Sequence, residues 1–151
     1  MSIDLYINMI NNEYPSSQYK EEPISEHSKK ILKNNGFIGS RKAVILSSAD
    51  SIIFNPLTCL AAPRISLVAE NAIYFLGKTE FPVFLYPPER LRIGADRLIV
   101  GDIEMLTDPK EAYISCKILA FVQSTEQEHS SFEIVKSWVV NDDVEIETIR
   151  L

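Results

Sequence analysis

From Ala43 to the end of the chain, apolar residues come in short runs, many alternating with polar ones, and each run is closed by Ser, Asn, Asp, Gly or Pro. Alternation with a period of two marks a strand buried on one face, and the closing residues are those that turns use. AVIL and SIIF flank a Ser-Ser-Ala-Asp turn. RISLVAE and IYFLG flank Asn71, a residue that tolerates the positive φ of a tight hairpin turn. In EFPVFLY, Pro82 cannot donate to a ladder and is confined to a strand start or an edge. RLRI, RLIVGDIEML, AYISCKILAFV, FEIVKSWVV and DVEIETIRL complete the strand series. They are separated by Gly94-Ala95-Asp96, by Thr107-Asp108-Pro109-Lys110, by a polar loop from Gln123 to Ser131, and by Asn141-Asp142-Asp143. LTCLAA, between Pro56 and Pro63, reads either as a single helical turn capped by Asn55 or as an irregular buried segment.

Before Ala43 the period changes. Ile3, Tyr6, Ile7 and Ile10 share one face of a helix, with Ser2 as its cap, and a polar loop over 11–22 follows. A second helix is predicted from Ser25 to Asn34: Ser25 can cap it, Lys29, Lys30 and Lys33 lie toward its negative end, and Gly36 can take the left-handed conformation that ends it, with Phe37 against Leu32. The expectation is an α+β fold in a single domain over residues 1–151. A helical N-terminal portion (1–42) with one or two helices packs on a β-rich portion (43–151), a mostly antiparallel, strongly curved sheet or small β-barrel of about six to eight strands. No helical pattern recurs between the strands, which argues against a parallel sheet, and no internal repeat stands out.

Composition changes this picture little: 46% hydrophobic and 24% charged residues are ordinary for a globular chain of 151 residues. No apolar run reaches the roughly 20 residues that span a bilayer, and the first residues lack the cationic start and apolar block of a secretory signal, so the expected compartment is the cytoplasm. Charge is uneven. Residues 1–99 hold eleven basic and ten acidic side chains, whereas residues 100–151 hold four basic and eleven acidic, for net charges of +1 and −7. An acidic final third disfavours nucleic acid and favours a protein partner of basic character.

Candidate chemistry is sparse. Cys59 and Cys116 lie in apolar stretches, with no CxxC pair, and read as buried, reduced thiols. His27 and His129 form no close pair with each other or with a cysteine, the nearest being Cys116 and His129, thirteen residues apart, so neither a metal site nor a cofactor is expected, and a Cys–His pair would have to be assembled by the fold. The Gly36–Lys42 segment (GFIGSRK) offers turn amides beside Arg41 and Lys42 but fits no phosphate-loop spacing. Asp102 and Glu104, two apart, would share a strand face, most simply a solvated one. Arg90, Arg92 and Arg97 gather around one turn; Arg90 and Arg92 point the same way from one strand and can clamp a carboxylate or phosphate. Asp142, Asp143, Glu145 and Glu147 put four carboxylates at the start of the last strand, either to blunt a sheet edge or to form the acidic half of an interface. Trp138 reads as core.

These features point first to a non-catalytic protein-interaction domain (an adaptor, inhibitor, chaperone or toxin-neutralising partner) using its acidic surface. Homo-oligomerisation is left open, and neither nucleic acid nor a membrane span is expected. The alternative is a small-molecule-binding barrel or curved sheet, with the aromatics of IYFLG and FPVFLY lining a pocket beside Arg90 and Arg92. An enzyme of unassigned class, using Asp102 with Glu104 or a Cys–His pair, stands third.

Overall fold

In a computed structural model, which describes residues 18–56, 58–76, 83–101, 109–123 and 130–150, the chain winds as a parallel β-solenoid. The first coil is β1 (Ile24–Ser28), β2 (Leu32–Asn34) and β3 (Phe37–Gly39), and the second is β4 (Ala43–Ser48), β5 (Ser51–Phe54) and β6 (Cys59–Ala61). The third contains β7 (Arg64–Ala69) and β8 (Ala72–Phe75), the fourth β9 (Arg90–Gly94) and β10 (Arg97–Val100), and the fifth β11 (Glu111–Ser115) and β12 (Ile118–Gln123). The last turn carries helix α1 (Ser130–Ser137) and ends in β13 (Glu145–Arg150). Every strand pairing among the described residues is parallel. The sheets run β1-β4-β7-β9-β11, β13-β12-β10-β8-β5-β2 and β3-β6.

Several expectations are thereby corrected. The fold is not α+β, antiparallel or barrel-like, and it has no helical portion over the described part of 1–42. Residues Ser25 to Asn34 form β1, a corner and β2 rather than a helix. The supposed hairpin at Asn71 is a corner: β7 and β8 lie in different sheets, and each pairs with the coils before and after it. AYISCKILAFV is likewise two strands, β11 and β12, separated by a corner at Cys116-Lys117, and LTCLAA supplies β6. FEIVKSWVV, read as a strand, instead contains most of α1. The helix expected over residues 3–10 lies outside the described residues, as do Pro82, Asp102, Glu104 and His129.

The physical cause is a single ambiguity. A strand with one buried face alternates in the same way whether its partner is its chain neighbour or the coil one turn away. Parallel pairing needs a long connection, usually a helix. Here the rest of the coil is that connection: Val44 lies beside Ile24, twenty residues on, and Ile146 beside Leu119, twenty-seven residues on.

Side chains facing inward stack in rows, at the roughly 4.8 Å spacing of paired strands. Leu46, Leu67, Ile93 and Ile114 form one row, and Ile52, Ile73, Leu98 and Leu119 another, all at most 2% exposed. Phe54 and Phe75 lie in a third row with their rings 4.9 Å apart and 9° from parallel. The interior is therefore filled by side chains. Trp138 joins it, 6% exposed, while Ile114 N–H donates to the Trp138 carbonyl.

Corners stack as the strands do. The Asn71 amide donates to Asp50 Oδ1 at 3.0 Å, Ser48 Oγ donates to the Lys30 carbonyl at 2.7 Å, and Asn141 bonds both the N–H and the C=O of Cys116. Gly36 does have positive φ (83°), but it turns the chain from β2 into β3. An added Cβ would meet nothing within 4 Å, so the cost of Gly36→Ala is conformational only. Urea denaturation is expected to show a loss of about 1–2 kcal/mol; no loss would mean that the corner relaxes.

Candidate functional site

Outward residues of the five-stranded sheet form the most chemically distinctive surface among the described residues. Burial alternates along β4, β7 and β9, with Val44, Leu46, Ile65, Leu67, Leu91 and Ile93 inside. The positions between them therefore face solvent. The register then aligns these positions from coil to coil. One row runs Ala43, Arg64, Arg90, Glu111, and the next runs Ser25, Ile45, Ser66, Arg92, Tyr113. Arg64 and Arg90 are direct neighbours across β7 and β9, and Arg92 is two residues along from Arg90 on the same side.

Three shallow clefts join along this face, and the arginines are their shared walls. The first, about 340 Å³, is lined by Ile45, Arg64, Ser66, Arg90 and Arg92 among others. The second, about 290 Å³, runs from Arg92 past Tyr113 and Ser115 to Val140. The third, about 220 Å³, lies between Arg64, Glu89, Arg90, Lys110 and Glu111. Arg90 Nε contacts Glu111 Oε2 at 3.1 Å, a solvent-exposed pair of the kind worth about 0–1 kcal/mol. Arg64 and Arg92 have no ion pair among the described residues, so four cations here face only two carboxylates. Ile45, Tyr113 and Val140 are large apolar side chains left 42%, 49% and 57% exposed beside them.

Of the arginines singled out in the sequence, Arg90 and Arg92 share this face, whereas Arg97 starts β10 on the six-stranded sheet, around a corner. Arg64 is the member that sequence reasoning missed. It precedes Arg90 by one full coil, and only the length of that coil could have pointed to it.

The four acidic candidates lie together at the C-terminal end. Asp142 and Asp143 form the turn into β13, which carries Glu145 and Glu147 and is exposed at all six positions. The Asn141 amide, 2.9 Å from Asp143 Oδ1, holds the Asp143 carboxyl below its usual range. This group is on a different sheet from the arginine face.

Other candidates are occupied or buried. Arg41 pairs with Glu21 at 3.1 Å and lies over the Tyr19 ring, and Lys42 pairs with Glu22 at 3.3 Å. Ser40 Oγ accepts the N–H groups of Lys42 and Ala43. Ser40, Arg41 and Lys42 are thus already engaged, the last two with Glu21 and Glu22, and Phe37–Gly39 within the segment is strand β3. His27 Nδ1 meets Ser47 Oγ at 2.7 Å on the next coil. Cys59 is fully buried among Ala61, Leu85 and aromatic neighbours, and burial pushes its thiol up to about 12; Cys116 is buried and pushed up to about 11 for the same reason. No group of three or more potential metal ligands occurs among the described residues. No helix among them is long and apolar enough to cross a membrane.

Fold and site together define a parallel β-solenoid with a basic, partly aromatic face on one sheet and a carboxylate-rich last strand on another. Comparison of the chain with protein-family models, with curated proteins and with solved structures gives no match.

Proposed function

We propose that the chain is a non-catalytic protein-interaction module whose arginine face receives an acidic segment of a partner protein. The observation that carries this reading is the in-register set Arg64, Arg90, Arg92 and Tyr113, with two guanidiniums lacking ion pairs among the described residues. Arginine and tyrosine beside exposed aliphatic side chains make up the composition typical of the energetically important centre of an interface. Adjacent guanidiniums repel one another, and an incoming carboxylate relieves that repulsion while accepting paired N–H donors. The clefts are shallow and open along the face, which suits an extended polypeptide better than an enclosed small molecule. This moves the interaction surface from the acidic strand, where the sequence alone put it, to the opposite charge on another sheet.

The test is fluorescence anisotropy with a labelled oligoglutamate peptide, an oligolysine peptide and a single-stranded oligonucleotide. Oligoglutamate is expected to bind, more weakly as salt rises. Arg64→Glu and Arg92→Glu should each weaken it by about tenfold, equivalent to about 1.4 kcal/mol, while Arg97→Glu, on the other sheet, should change it little. Equal losses from Arg97→Glu and Arg92→Glu, or preference for the oligonucleotide, would overturn the assignment.

A further inference from the structure

We propose that copies of this chain stack head to tail, β13 of one copy pairing as the next parallel strand beyond β2 of another. The six-stranded sheet has two unlike edges, β2 at one end and β13 at the other. Among the described residues each pairs with a single strand, so each offers backbone donors and acceptors along its other side.

The register makes the two edges complementary. One row, on the side of the sheet away from the interior, runs Lys33, Ile53, Tyr74, Ile99, Ala120, Glu147 from edge to edge, buried at Ile99 and Ala120 but exposed at both ends. Adding β13 of another copy beyond β2 in the same register sets Glu147 beside Lys33. The adjacent inward row runs Leu32, Ile52, Ile73, Leu98, Leu119, Ile146. Leu119 is 0% exposed, but Ile146, in the same row with no strand beyond it among the described residues, is 46% exposed. Stacking sets Ile146 on Leu32, which is itself only partly buried.

Charge selects the same partner. Lys29, Lys30 and Lys33 surround β2, and Asp142, Asp143, Glu145 and Glu147 surround the start of β13. Opposite edges of two copies therefore attract, whereas like edges repel. Glu26 occupies an inward row position at the N-terminal end of the five-stranded sheet, so the continuation runs through the six-stranded sheet alone. Such an interface uses different surfaces on the two copies and does not close on itself, so its product is an open chain of molecules. It is independent of the arginine face.

Sedimentation velocity of the full chain should show mass rising with concentration. Lys33→Glu and Glu147→Lys should each weaken association by about tenfold. An equimolar mixture of the two variants should restore it, because each then meets the opposite charge at every junction. Circular dichroism checks that both variants remain folded. A variant carrying Lys33→Cys with Glu147→Cys should give a ladder of covalent oligomers on mild oxidation. Within one molecule the two positions are five coil steps apart, about 24 Å, well beyond the roughly 7 Å between Cα atoms that a disulfide can bridge. A chain that stays monomeric at every concentration, association untouched by both reversals, or a double-cysteine variant that forms no ladder would each overturn the proposal.

Discussion

Replacing Phe75 with alanine is expected to lower the free energy of unfolding by about 3–5 kcal/mol, the range for deleting a buried ring. Phe75 is 1% exposed and stacks on Phe54 at 4.9 Å, with Val100 next to it in the same row on the other side. The substitution removes burial and leaves a hole between two coils. The ring pair adds about 0.5–1.5 kcal/mol beyond the buried area. Position along the solenoid sharpens the expectation. Each coil is held by its neighbours, so a central change weakens two interfaces and a terminal change weakens one. At protein concentrations too low for copies to stack, Ile146→Ala, at a position 46% exposed in the last coil, should cost less than about 1 kcal/mol. Urea denaturation of both variants checks the ranking. Equal losses would mean that the coils do not share a continuous interior.

That ranking depends on which strands are neighbours, and this is what the sequence hid. The strand segments themselves were largely legible from Ala43 onward, because Val44 with Leu46, Ile65 with Leu67 and Leu91 with Ile93 each show the two-residue period of one buried face. Turns at Ala49-Asp50, Glu70-Asn71 and Ala95-Asp96 were legible too, from residue type. Their meaning was not, because a two-residue connection can reverse a strand in a hairpin or bend it into the next sheet. The repeat that would have decided the matter is blurred by unequal coil lengths: Val44 to Ile65 is twenty-one residues, and Ile65 to Leu91 is twenty-six.

Two segments misled for a different reason. Ser25, the following lysines and Gly36 are good helix-end signals, yet pairing of β1 with β4 and of β2 with β5 overrides local preference. Conversely, the run FEIVKSWVV is rich in β-branched and aromatic residues, yet the chain forms α1 over its first part, and only Val139, past the helix end, makes a parallel bridge, to Ile114. The arginine face was half legible. Arg90 and Arg92 are two apart on one strand, a relation that survives any pairing scheme, whereas Arg64 joins them only through the parallel register.

The cysteines read correctly as buried thiols, and their burial has a measurable consequence at alkaline pH. Desolvation raises the Cys59 thiol from the usual 9.0 to about 12, against a smaller opposing effect of a backbone hydrogen bond at Leu85. In the unfolded chain the same thiol ionises near its usual value. The native state therefore holds a proton that the unfolded state has lost, and stability falls as pH rises. The contribution is fully present below about pH 9 and is lost between about pH 9 and 12, at about 1.4 kcal/mol per pH unit and about 4 kcal/mol in all. Cys116, raised to about 11, acts in the same direction. Unfolding free energies of the native chain and of Cys59→Ala, measured at pH 8, 9, 10 and 11, isolate the effect, because all other titrations are common to both. The native chain should lose about 1.4 kcal/mol more than the variant for each unit above pH 9. Parallel curves would mean that Cys59 ionises in the folded state as it does in water, and such a thiol would again be a candidate nucleophile. The expected divergence instead leaves it neutral at physiological pH, an apolar part of β6 where that strand pairs with β3.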